Sequence, residues 1–322
     1  MTKILIISNK SDLTSDFIVK RLKEKKISFY RFNTEELTKS VSITLDFSND
    51  IFCIYDLILK QNINLKDFTS VYFRRPELPS LWNYDLDENE KAFLKNEIAY
   101  TLEGIYSILK NLYWVSPIYA IRQAENKILQ LQIAKKIGFK IPDSLITNSF
   151  DNSINFFNRN AKNCIIKPIK SGLIGDGNNS KVVFTSFLDK IPHSKEQIKI
   201  SPNFFQSHIE KKGDVRVTMV GKKAFATLIH SQENNQTKVD WRKDENILKH
   251  SKIKLPESIL YKCIKLLSKF SLKFGAIDFI LDKNDNFIFL EINPNGQWAW
   301  IEKQTEFNIS NEIVNLLSHE NF

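Results

Sequence analysis

Cysteine is scarce in this sequence, and its spacing argues against two classes of small, cross-linked protein. The three cysteines, Cys53, Cys164 and Cys263, lie far apart and form no C-x-x-C pair. Neither a disulfide framework nor a zinc cluster is therefore indicated. The composition is typical of a reducing compartment, so we expect a cytoplasmic protein.

Long hydrophobic runs are also missing. The first residues, MTKILIISNKSD, contain only a short apolar run before polar residues begin, and no other stretch has the length of a membrane span. We therefore expect neither a signal peptide nor a membrane partner. No G-x-G-x-x-G follows the first predicted strand, and no Walker loop occurs anywhere, which argues against both of those nucleotide sites.

Acidic residues are fewer than basic ones, and the formal net charge of +9 raises the question of nucleic acid. The lysines are, however, spread over predicted helix faces such as KRLKEKK, without a basic tail or a known RNA-reading motif. We expect a solvated, lysine-rich surface and no nucleic-acid partner. An acidic partner, such as a nucleotide or an acidic peptide, is compatible with this charge.

The apolar pattern of the first part predicts a β-α-β start. KILIIS reads as a buried strand, TSDFIVKRLKEKK as an amphipathic helix and ISFYRF as a second strand. Strands are also predicted at SITLDF, IFCIYDLIL and VYFRRP. A long helix from about Asp87 to Asn111 then carries one apolar stripe, formed by Phe93, Ile98, Leu102, Ile105 and Leu109.

The remaining chain alternates helices and strands. AIRQAENKILQLQIAKKIG reads as one helix closed by Gly138, and ESILYKCIKLLSKFSLK as a helix introduced by Pro256. Between them lie the strand CIIKPIK and the β-rich segments FFQSHIE, DVRVTMVG and KKAFATLIHS. The hairpin GAIDFIL-DKND-NFIFLEIN and a helix near 308–318 follow. The fold class is α/β, with mixed α+β character.

The late hairpin brings two carboxylates together. With a turn at 283–286, Asp282 faces Phe287, and Asp278 then lies opposite Glu291. Asn293, two residues further on, shares the face of Glu291. These groups are hard oxygen ligands, which suit Mg²⁺ better than zinc. The alternative is a hairpin whose polar face meets water.

Glycine is rare, yet three of the nine glycines, Gly172, Gly175 and Gly177, fall within six positions. They follow a predicted strand that carries Lys167 and Lys170. Glycine lets backbone amides approach an anion closely, although a mobile surface turn is an equal alternative.

A third pattern is GDVRVTMVG. It is interpreted as two strands around a Gly213–Asp214 turn, with Asp214 and Arg216 on one face and a second hairpin at Gly221. For any single residue in this segment, an ordinary exposed sheet face is the better interpretation.

Taken in order, these segments resemble the ATP-grasp superfamily. They are Lys127 in AENKILQLQ, Lys167 in CIIKPIKSG, QSHIE, GDVRVTMVG, VDWR, and the Asp278, Glu291 and Asn293 set. Each motif alone is weak, but the ordered set over about 120–310 is specific. The resemblance implies an ATP-grasp fold behind an N-terminal, Rossmann-like pre-ATP-grasp domain. The implied domains are 1–118, a small subdomain with a glycine-rich flap at 119–205, and a C-terminal subdomain with the magnesium site at 206–322.

The resemblance also implies roles for individual residues. Lys127 and Lys167 would hold the ATP phosphates, and Asp214 would accept hydrogen bonds from the ribose. Arg216 and Arg242 would meet the transferring phosphate. The strand that receives adenine would consist of Gln206, His208 and Ile209, and the magnesium ligands, for two ions, would be Asp278, Glu291 and Asn293.

Within the superfamily, the segments NKSDLTSDFIVKRL, VYFRRPELP and EINPNGQWAWIE are similar to the microviridin-type peptide ligases, or graspetide synthetases. The resemblance implies a ligase that activates a carboxylate as an acyl phosphate. Its partner would be a precursor peptide whose acidic side chains are joined to Thr, Ser or Lys. Arg74 or Arg75 would meet this peptide, and Trp298 is either a wall of the acceptor site or a core residue.

Two other functions stay open at this point. An ATP-grasp ligase could append amino acids to a peptide tail or join small carboxylates to amines, and its product would gain mass. A nucleotide-binding or nucleic-acid-binding module without turnover is the third hypothesis. The sequence leaves open whether the chain forms a homodimer.

Overall fold

The computed structural model describes residues 2–170, 172–174, 181–188, 194–243 and 248–318. The chain divides into two compact units. The first comprises 1–121, 271–274 and 297–322, and the second comprises 122–270 and 275–296. The finer division of the second part into two subdomains, expected from the sequence, stays a prediction. Within the described ranges, no helix is long and apolar enough to cross a membrane.

The first unit begins with alternating strands and helices. In chain order its N-terminal elements are β1 (Lys3–Ser8), α1 (Leu13–Glu24), β2 (Ser28–Asn33), β3 (Val41–Asp46), β4 (Ile51–Asp56), β5 (Gln61–Asn64), β6 (Ser70–Phe73), α2 (Glu88–Ile108) and β7 (Tyr113–Val115). Among the described residues, β2, β1, β6 and β7 form a parallel sheet in that order. Ile4 to Ile7 are fully buried in it, which agrees with the continuous apolar run of β1. The predicted β-α-β start is confirmed.

A separate antiparallel sheet, β3-β4-β5, departs from the prediction. The sequence predicts one strand over IFCIYDLIL, but the strand ends at Asp56. The carboxylate of Asp56 accepts hydrogen bonds from the backbone of Ile58 and Leu59, both at 2.9 Å, and this closes a turn that leads into β5. An aspartate that caps its own turn can end an apolar run, and periodicity alone does not reveal it.

Helix α2 begins as predicted, because Asp87 and Glu90 form a reciprocal capping box. Its predicted apolar stripe is only partly buried. Leu102 and Leu109 lie in the core, whereas Phe93 is 62% exposed. The N-terminal turns of the helix therefore extend beyond the core, a difference that depends on helix packing rather than on helical period.

The second unit contains most of the remaining elements. In chain order the rest of the molecule has α3 (Ile118–Ala124), α4 (Lys127–Ile137), β8 (Ser144–Thr147), α5 (Phe150–Arg159), β9 (Cys164–Lys167), β10 (Leu173–Ile174), β11 (Lys181–Val182), β12 (Ser186–Leu188), α6 (Lys195–Ile200), β13 (Asn203–Ser207), β14 (Lys211–Val220), β15 (Lys223–Ile229), β16 (His250–Lys252), α7 (Glu257–Lys269), β17 (Phe274–Asp282), β18 (Phe287–Asn293), α8 (Ala299–Thr305) and α9 (Ile309–Leu317). Helices α8 and α9 return to the first unit, where Ser70 donates a 2.6 Å hydrogen bond to the carbonyl of Leu317.

Two larger sheets organise the second unit, and β10 and β11 form a separate antiparallel pair. Among the described residues one has the order β12-β9-β13-β8, and the other has the order β16-β15-β14-β17-β18. The first sheet packs against α5 and α6 through a core that includes Phe156, Ile198 and Phe205. The second sheet carries the hairpin that the sequence predicted, β17-β18.

The predicted helix from Ala120 to Gly138 is two helices, α3 and α4. The side chain of Asn126 accepts hydrogen bonds from the backbone of Ile128 and Leu129, both at 3.1 Å, and so caps α4. Because of this break, Lys127 is the first residue of a helix rather than a residue of a helix interior. Gly138 ends α4 with φ of 93°, as predicted.

The predicted turn at Gly213–Asp214 is wrong. β14 runs without interruption from Lys211 to Val220 and pairs with β15. A Cβ at Gly213 would lie 2.7 Å from the carbonyl oxygen of Ile229, so this glycine serves a close approach of two strands rather than a turn. The second hairpin, at Gly221, is confirmed.

The β17-β18 hairpin has a different register near its tip from the predicted one. Leu281, not Asp282, pairs with Phe287, and a β-bulge lies between the Asp278 and Phe279 positions. The extra residue on β18 is Leu290. It shifts the register by one, and Asp278 pairs with Glu291 as the sequence predicted.

Candidate functional site

A cavity of 660 Å³ lies within the second unit. Its walls come from the start of α4, from β9, β13, β14, β17 and β18, and from the segment 238–242. Ten residues predicted from the sequence line it together: Lys127, Lys167, Gln206, His208, Ile209, Asp214, Arg242, Asp278, Glu291 and Asn293. Residues from distant parts of the chain are thus brought to one cavity.

Two hydrogen bonds join helix α4 to the strand that carries Glu291. The buried amide of Gln130 donates to the carbonyl of Ile292 at 2.8 Å and accepts from the Ile292 N–H at 2.9 Å. As a result, Lys127 Nζ lies 3.0 Å from Glu291 Oε2 and 3.3 Å from the carbonyl oxygen of Pro168. This lysine joins β18 to the residues that follow β9.

Lys167 approaches the same carboxylate from β9. Burial lowers the pKa of Lys167 to about 8; Glu291 opposes this shift, whereas Lys127 and Arg242 add to it. Burial alone would raise the pKa of Glu291, but Lys127, Lys167 and Arg242 together lower it to about 2. Glu291 is therefore ionised at neutral pH, with several cations around it.

The second carboxylate, Asp278, has its own cation. Arg216 donates from Nε to Oδ1 at 2.5 Å and from Nη2 to Oδ2 at 3.1 Å, and the pair is buried. The guanidinium also lies 5.5 Å from the ring centre of Trp241. Burial raises the pKa of Asp278; Arg216 opposes this shift and Glu291 adds to it. The pKa of Asp278 is thus raised, whereas the pKa of its neighbour Glu291 is lowered.

Arg242 is held by a residue two positions before it. Its Nε and Nη2 donate to the two oxygens of Asp240 at 2.9 and 2.7 Å. Burial raises the pKa of Asp240, but the hydrogen bonds and charge of Arg242, together with the Thr185 N–H, outweigh burial and leave the pKa lowered. The Arg242 side chain remains 48% exposed and lines the cavity.

The segment predicted to receive adenine lies along another wall, but β13 ends at Ser207, so His208 and Ile209 follow the strand instead of belonging to it. Gln206 is fully buried on β13; its Nε2 donates to Ser144 Oγ at 2.9 Å, and its Oε1 has no hydrogen-bond partner within the described part of the chain. His208 makes an edge-on contact with Phe187 at 5.4 Å between ring centres. Burial lowers the pKa of His208, and Lys211 adds to the shift.

Asp214 lines the cavity, but its oxygens already have partners. Lys211 Nζ donates to both of them at 2.9 and 2.7 Å, and Ser231 Oγ donates to Oδ2 at 2.5 Å. Burial raises the pKa of Asp214, while Lys211 and Ser231 oppose that rise. A ribose contact at this carboxylate would therefore compete with an existing ion pair.

The glycine cluster is only partly described. Gly172 lies against Val183, the residue that follows β11. A Cβ at position 172 would come within 2.0 Å of the Val183 carbonyl oxygen, so only glycine fits. Lys170 and Gly172 both line the cavity. Gly175 and Gly177 lie outside the described residues.

Three predicted substrate-binding residues belong to the first unit instead. Arg74 is buried, with Nε 3.5 Å from Asp12 Oδ1, and Arg75 is exposed with φ of 44°. Trp298 is fully buried; it donates to the Tyr72 hydroxyl at 3.4 Å. The full burial of Trp298 agrees with the core alternative.

Several cavity residues were not predicted from the sequence. Gln130, Lys211, Asp240 and Trp241 all line it. In VDWR, the carboxylate two residues before the arginine is the sequence feature that indicates Asp240. Lys211 gave no comparable signal, because a lysine near a strand start is ordinary surface composition.

Oxygen donors and cationic side chains line the same cavity. Asp278, Glu291 and Asn293 offer carboxylate and amide oxygens on one wall, the ligands that Mg²⁺ prefers. Over the described residues, no group of three His, Cys, Asp or Glu could hold a metal, so the amide has to complete this set. The surrounding lysines and arginines fit the phosphates of a nucleotide. The residues present fit both groups.

Comparisons with known proteins give matches to both parts of the chain. A family model described as the MvdD pre-ATP grasp domain matches residues 3–122, and the RimK-like ATP-grasp domain matches residues 124–317. No curated protein gives a significant match.

Solved structures match over nearly the whole length. A RiPP-associated ATP-grasp ligase from Chryseobacterium gregarium, in complex with ADP and a leader and core peptide, has 28% identity and a TM-score of 0.89, and covers 100% of this chain and 98% of its own. The macrocyclase MdnC from Microcystis aeruginosa, bound with precursor peptide MdnA, has 26% identity and a TM-score of 0.86, with 99% and 100% covered. The macrocyclase MdnB from the same organism has 25% identity and a TM-score of 0.81, with 98% and 99% covered. The family match extends over more than half of the chain, and the chain belongs to the RimK-like ATP-grasp family, with a pre-ATP-grasp domain ahead of the ATP-grasp domain.

Proposed function

We propose that this protein is an ATP-dependent carboxylate ligase that matures a ribosomally made precursor peptide by joining its side chains. The observation that carries the proposal is the cavity of the second unit. There Lys127 and Lys167 surround Glu291, which pairs across the hairpin with Asp278. Whole-length similarity to ligases solved with precursor peptides supports the peptide substrate.

The reaction has two steps. A carboxylate oxygen of the peptide attacks the γ-phosphorus of ATP, the bond to the bridging oxygen breaks, and ADP leaves. A hydroxyl or amine then attacks the acyl carbon, phosphate departs, and the acceptor gives up its proton. The result is an ester or amide with loss of one water from the peptide.

The nucleotide would be held by residues on two walls. Lys127 and Lys167 would move from Glu291 to the phosphates, since a lysine is a mobile point charge. The unpartnered Oε1 of Gln206 would accept from the adenine amino group, with His208 and Ile209 beside the ring. Because Asp214 is already paired with Lys211, its proposed ribose contact would exchange one partner for another.

Two Mg²⁺ ions would be held by Asp278, Glu291 and Asn293. When bound, these ions would offset the negative charge of the phosphates. Arg216 and Arg242 would face the phosphoryl group in transfer. They are already oriented, Arg216 by Asp278 and Trp241, and Arg242 by Asp240. Fixed donors of this kind need little reorganisation when charge develops.

The peptide partner would carry acidic residues and Thr, Ser or Lys. Arg75, exposed at the end of β6, is the candidate for contact with its carboxylates, whereas Arg74 is buried beside Asp12. The cytoplasmic location and a homodimer stay predictions.

Mass spectrometry of a precursor peptide incubated with the protein, ATP and Mg²⁺ tests the proposal. We expect a product lighter than the peptide by one water for each bond. A product that gains mass would instead indicate a ligase that appends amino acids, and the crosslinking proposal would be abandoned.

The Glu291→Gln variant tests the site. It removes the charge that the cations surround, and we expect at least about a hundredfold lower ADP release in the presence of peptide. Asp282→Asn, in the turn of the same hairpin, is the matched control and should retain turnover. Equal activity in both variants would place the chemistry elsewhere.

A further inference from the structure

Asp240 makes more contacts than a surface ion pair requires. Its side chain is 4% exposed, and besides the two bonds from the Arg242 guanidinium, Oδ1 accepts from the Arg242 backbone N–H at 3.2 Å. Oδ2 also accepts from the backbone N–H of Thr185, at 3.2 Å. This buried carboxylate therefore contacts a residue 55 positions away in the chain.

The hydrogen bond from the Thr185 N–H to Asp240 does not involve Arg242. Thr185 belongs to a different chain segment of the cavity wall. Thr185 is buried and lines the cavity, and it follows Val183, whose N–H donates to the carbonyl of Gly172 at 2.6 Å. Asp240 thus anchors the backbone that pairs with Gly172. Without that acceptor, the buried Thr185 N–H would lose its partner, a cost that favours the present arrangement.

The contact with Asp240 also fixes the orientation of the Arg242 side chain. Arg242 has a long side chain that is half exposed, and such a side chain in water samples many rotamers. Two parallel hydrogen bonds to Asp240 restrict it to one orientation, with its guanidinium in the cavity wall. The hydrogen bonds to Asp240 raise the pKa of Arg242, burial opposes this shift, and the charges of Asp240, Glu291 and Asp278 add to it.

We propose that Asp240 is a positioning residue for phosphoryl transfer: it holds Arg242 and the Thr185 backbone in one arrangement. This proposal rests on the proposed function. Asp240 contacts neither nucleotide nor peptide in it, and it acts through Arg242. A purely structural ion pair is the rival explanation, and the two differ in how the effects of substitutions combine.

A double-mutant cycle with Asp240→Asn and Arg242→Lys tests the catalytic part. We expect Asp240→Asn to lower kcat for peptide-dependent ADP release about a hundredfold, because a misplaced group costs about that much. The change in KM for ATP should be smaller. The double variant should be no slower than the slower single variant, since both changes remove one paired unit. Multiplied losses, or a kcat of Asp240→Asn within twofold of the unsubstituted protein, would overturn the proposal. Asp240→Glu, which keeps a carboxylate, should recover part of the lost rate.

Hydrogen exchange of the backbone amides in 183–188 tests the geometry without turnover. In Asp240→Asn, the Thr185 amide should exchange about tenfold faster. Asp143→Asn is the matched control, because Asp143 forms an equally bidentate pair with Arg159, at 3.0 and 3.0 Å, and does not line the cavity.

The two proposals fail in different ways. If the unsubstituted protein shows no peptide-dependent turnover, the proposed function is wrong, and unchanged Thr185 exchange in Asp240→Asn would separately refute the anchoring role. A fall in kcat without faster exchange would also count against the single arrangement proposed here.

Discussion

At the scale of single residues, three predicted carboxylates of the cavity are already ion-paired with a lysine or an arginine. Glu291 pairs with Lys127, Asp278 with Arg216, and Asp214 with Lys211. Such pairs offset the cost of burying each charge before a substrate arrives. Binding of a polyanion and a cation would then exchange partners instead of burying new, isolated charges.

The lowered pKa of Lys167 gives a pH dependence. Lys167 is charged below a pH of about 8 and loses its proton as the pH rises through that value. Its attraction for phosphate is therefore present at lower pH and lost at higher pH. We expect the affinity for ATP, measured by calorimetry, to fall by up to about tenfold for each pH unit above 8. Lys167→Arg should remove this step, because arginine stays charged. An unchanged step in that variant would assign the titration to another group.

Removal of Asp278 should destabilise the protein. Asp278→Asn leaves the buried Arg216 without its carboxylate, and we expect the free energy of unfolding to fall by about 3 kcal/mol. The exposed pair of Asp143 with Arg159 is the comparison, and Asp143→Asn should cost about 1 kcal/mol or less. Urea unfolding of both variants measures the difference. Equal losses would mean that the buried pair contributes no more than a surface pair.

The sequence identified the charged residues of the cavity better than it identified their partners. Lys127, Lys167 and Glu291 occur in segments whose order resembles the ATP-grasp superfamily, and that resemblance implied their roles. Lys211, Ser231 and Thr185 have no such motif, and their roles depend on which strands lie side by side.

At the scale of elements, a glycine in a helix and a glycine in a sheet differ in the space that is available for a Cβ atom. Gly104 lies in the interior of α2, where a Cβ would meet nothing within 4 Å, whereas a Cβ at Gly213 would meet the Ile229 carbonyl oxygen at 2.7 Å. The sequence does not distinguish these cases. Only the position of the neighbouring strand does.

Alanine at these two positions should therefore have effects of opposite sign. Gly104→Ala should raise the free energy of unfolding by about 1 kcal/mol, because alanine is the better helix former. Gly213→Ala should lower it by about 1–3 kcal/mol, because β14 and β15 must separate. Chemical denaturation reports both values. A loss of stability in Gly104→Ala would reveal a packing partner for the outer face of α2.

The elements around the site were predicted in type more reliably than in register. The β17-β18 hairpin and the pairing of Asp278 with Glu291 were predicted, but the bulge at Leu290 was not. Likewise, the break before Lys127 depends on the cap at Asn126. Both features are single-residue irregularities that leave the apolar pattern almost unchanged.

At the scale of the whole molecule, one unit contains the entire cavity. Every residue that lines it belongs to 122–270 or 275–296. The first unit is assembled from three separate chain segments, and its C-terminal helices α8 and α9 lie far along the sequence from β1. No segment with the composition of a linker marks the positions at which the chain passes from one unit to the other.

Nucleotide binding should therefore stabilise the second unit selectively. ATP with Mg²⁺ at a hundredfold excess over Kd should add about 2.7 kcal/mol to the free energy of unfolding of the binding unit. Hydrogen exchange resolved by peptide should slow in β9, β13, β14 and β18. Protection of the first unit alone would contradict a nucleotide site in this cavity. The Glu291→Gln variant should show less of the Mg²⁺-dependent part of the protection.

The sequence by itself determined the α/β class and the order of most strands and helices, and its resemblance to the ATP-grasp superfamily identified Lys127, Lys167, Arg242, Asp278 and Glu291. It could do so because apolar periodicity and short motifs are local properties of the chain. Only the tertiary structure decided that Asp240 holds Arg242 and Thr185, that Lys127 starts a helix beside Glu291, and that Trp298 is a core residue. These outcomes depend on which distant segments meet, and hydrogen bonds between segments leave no periodic trace in the sequence.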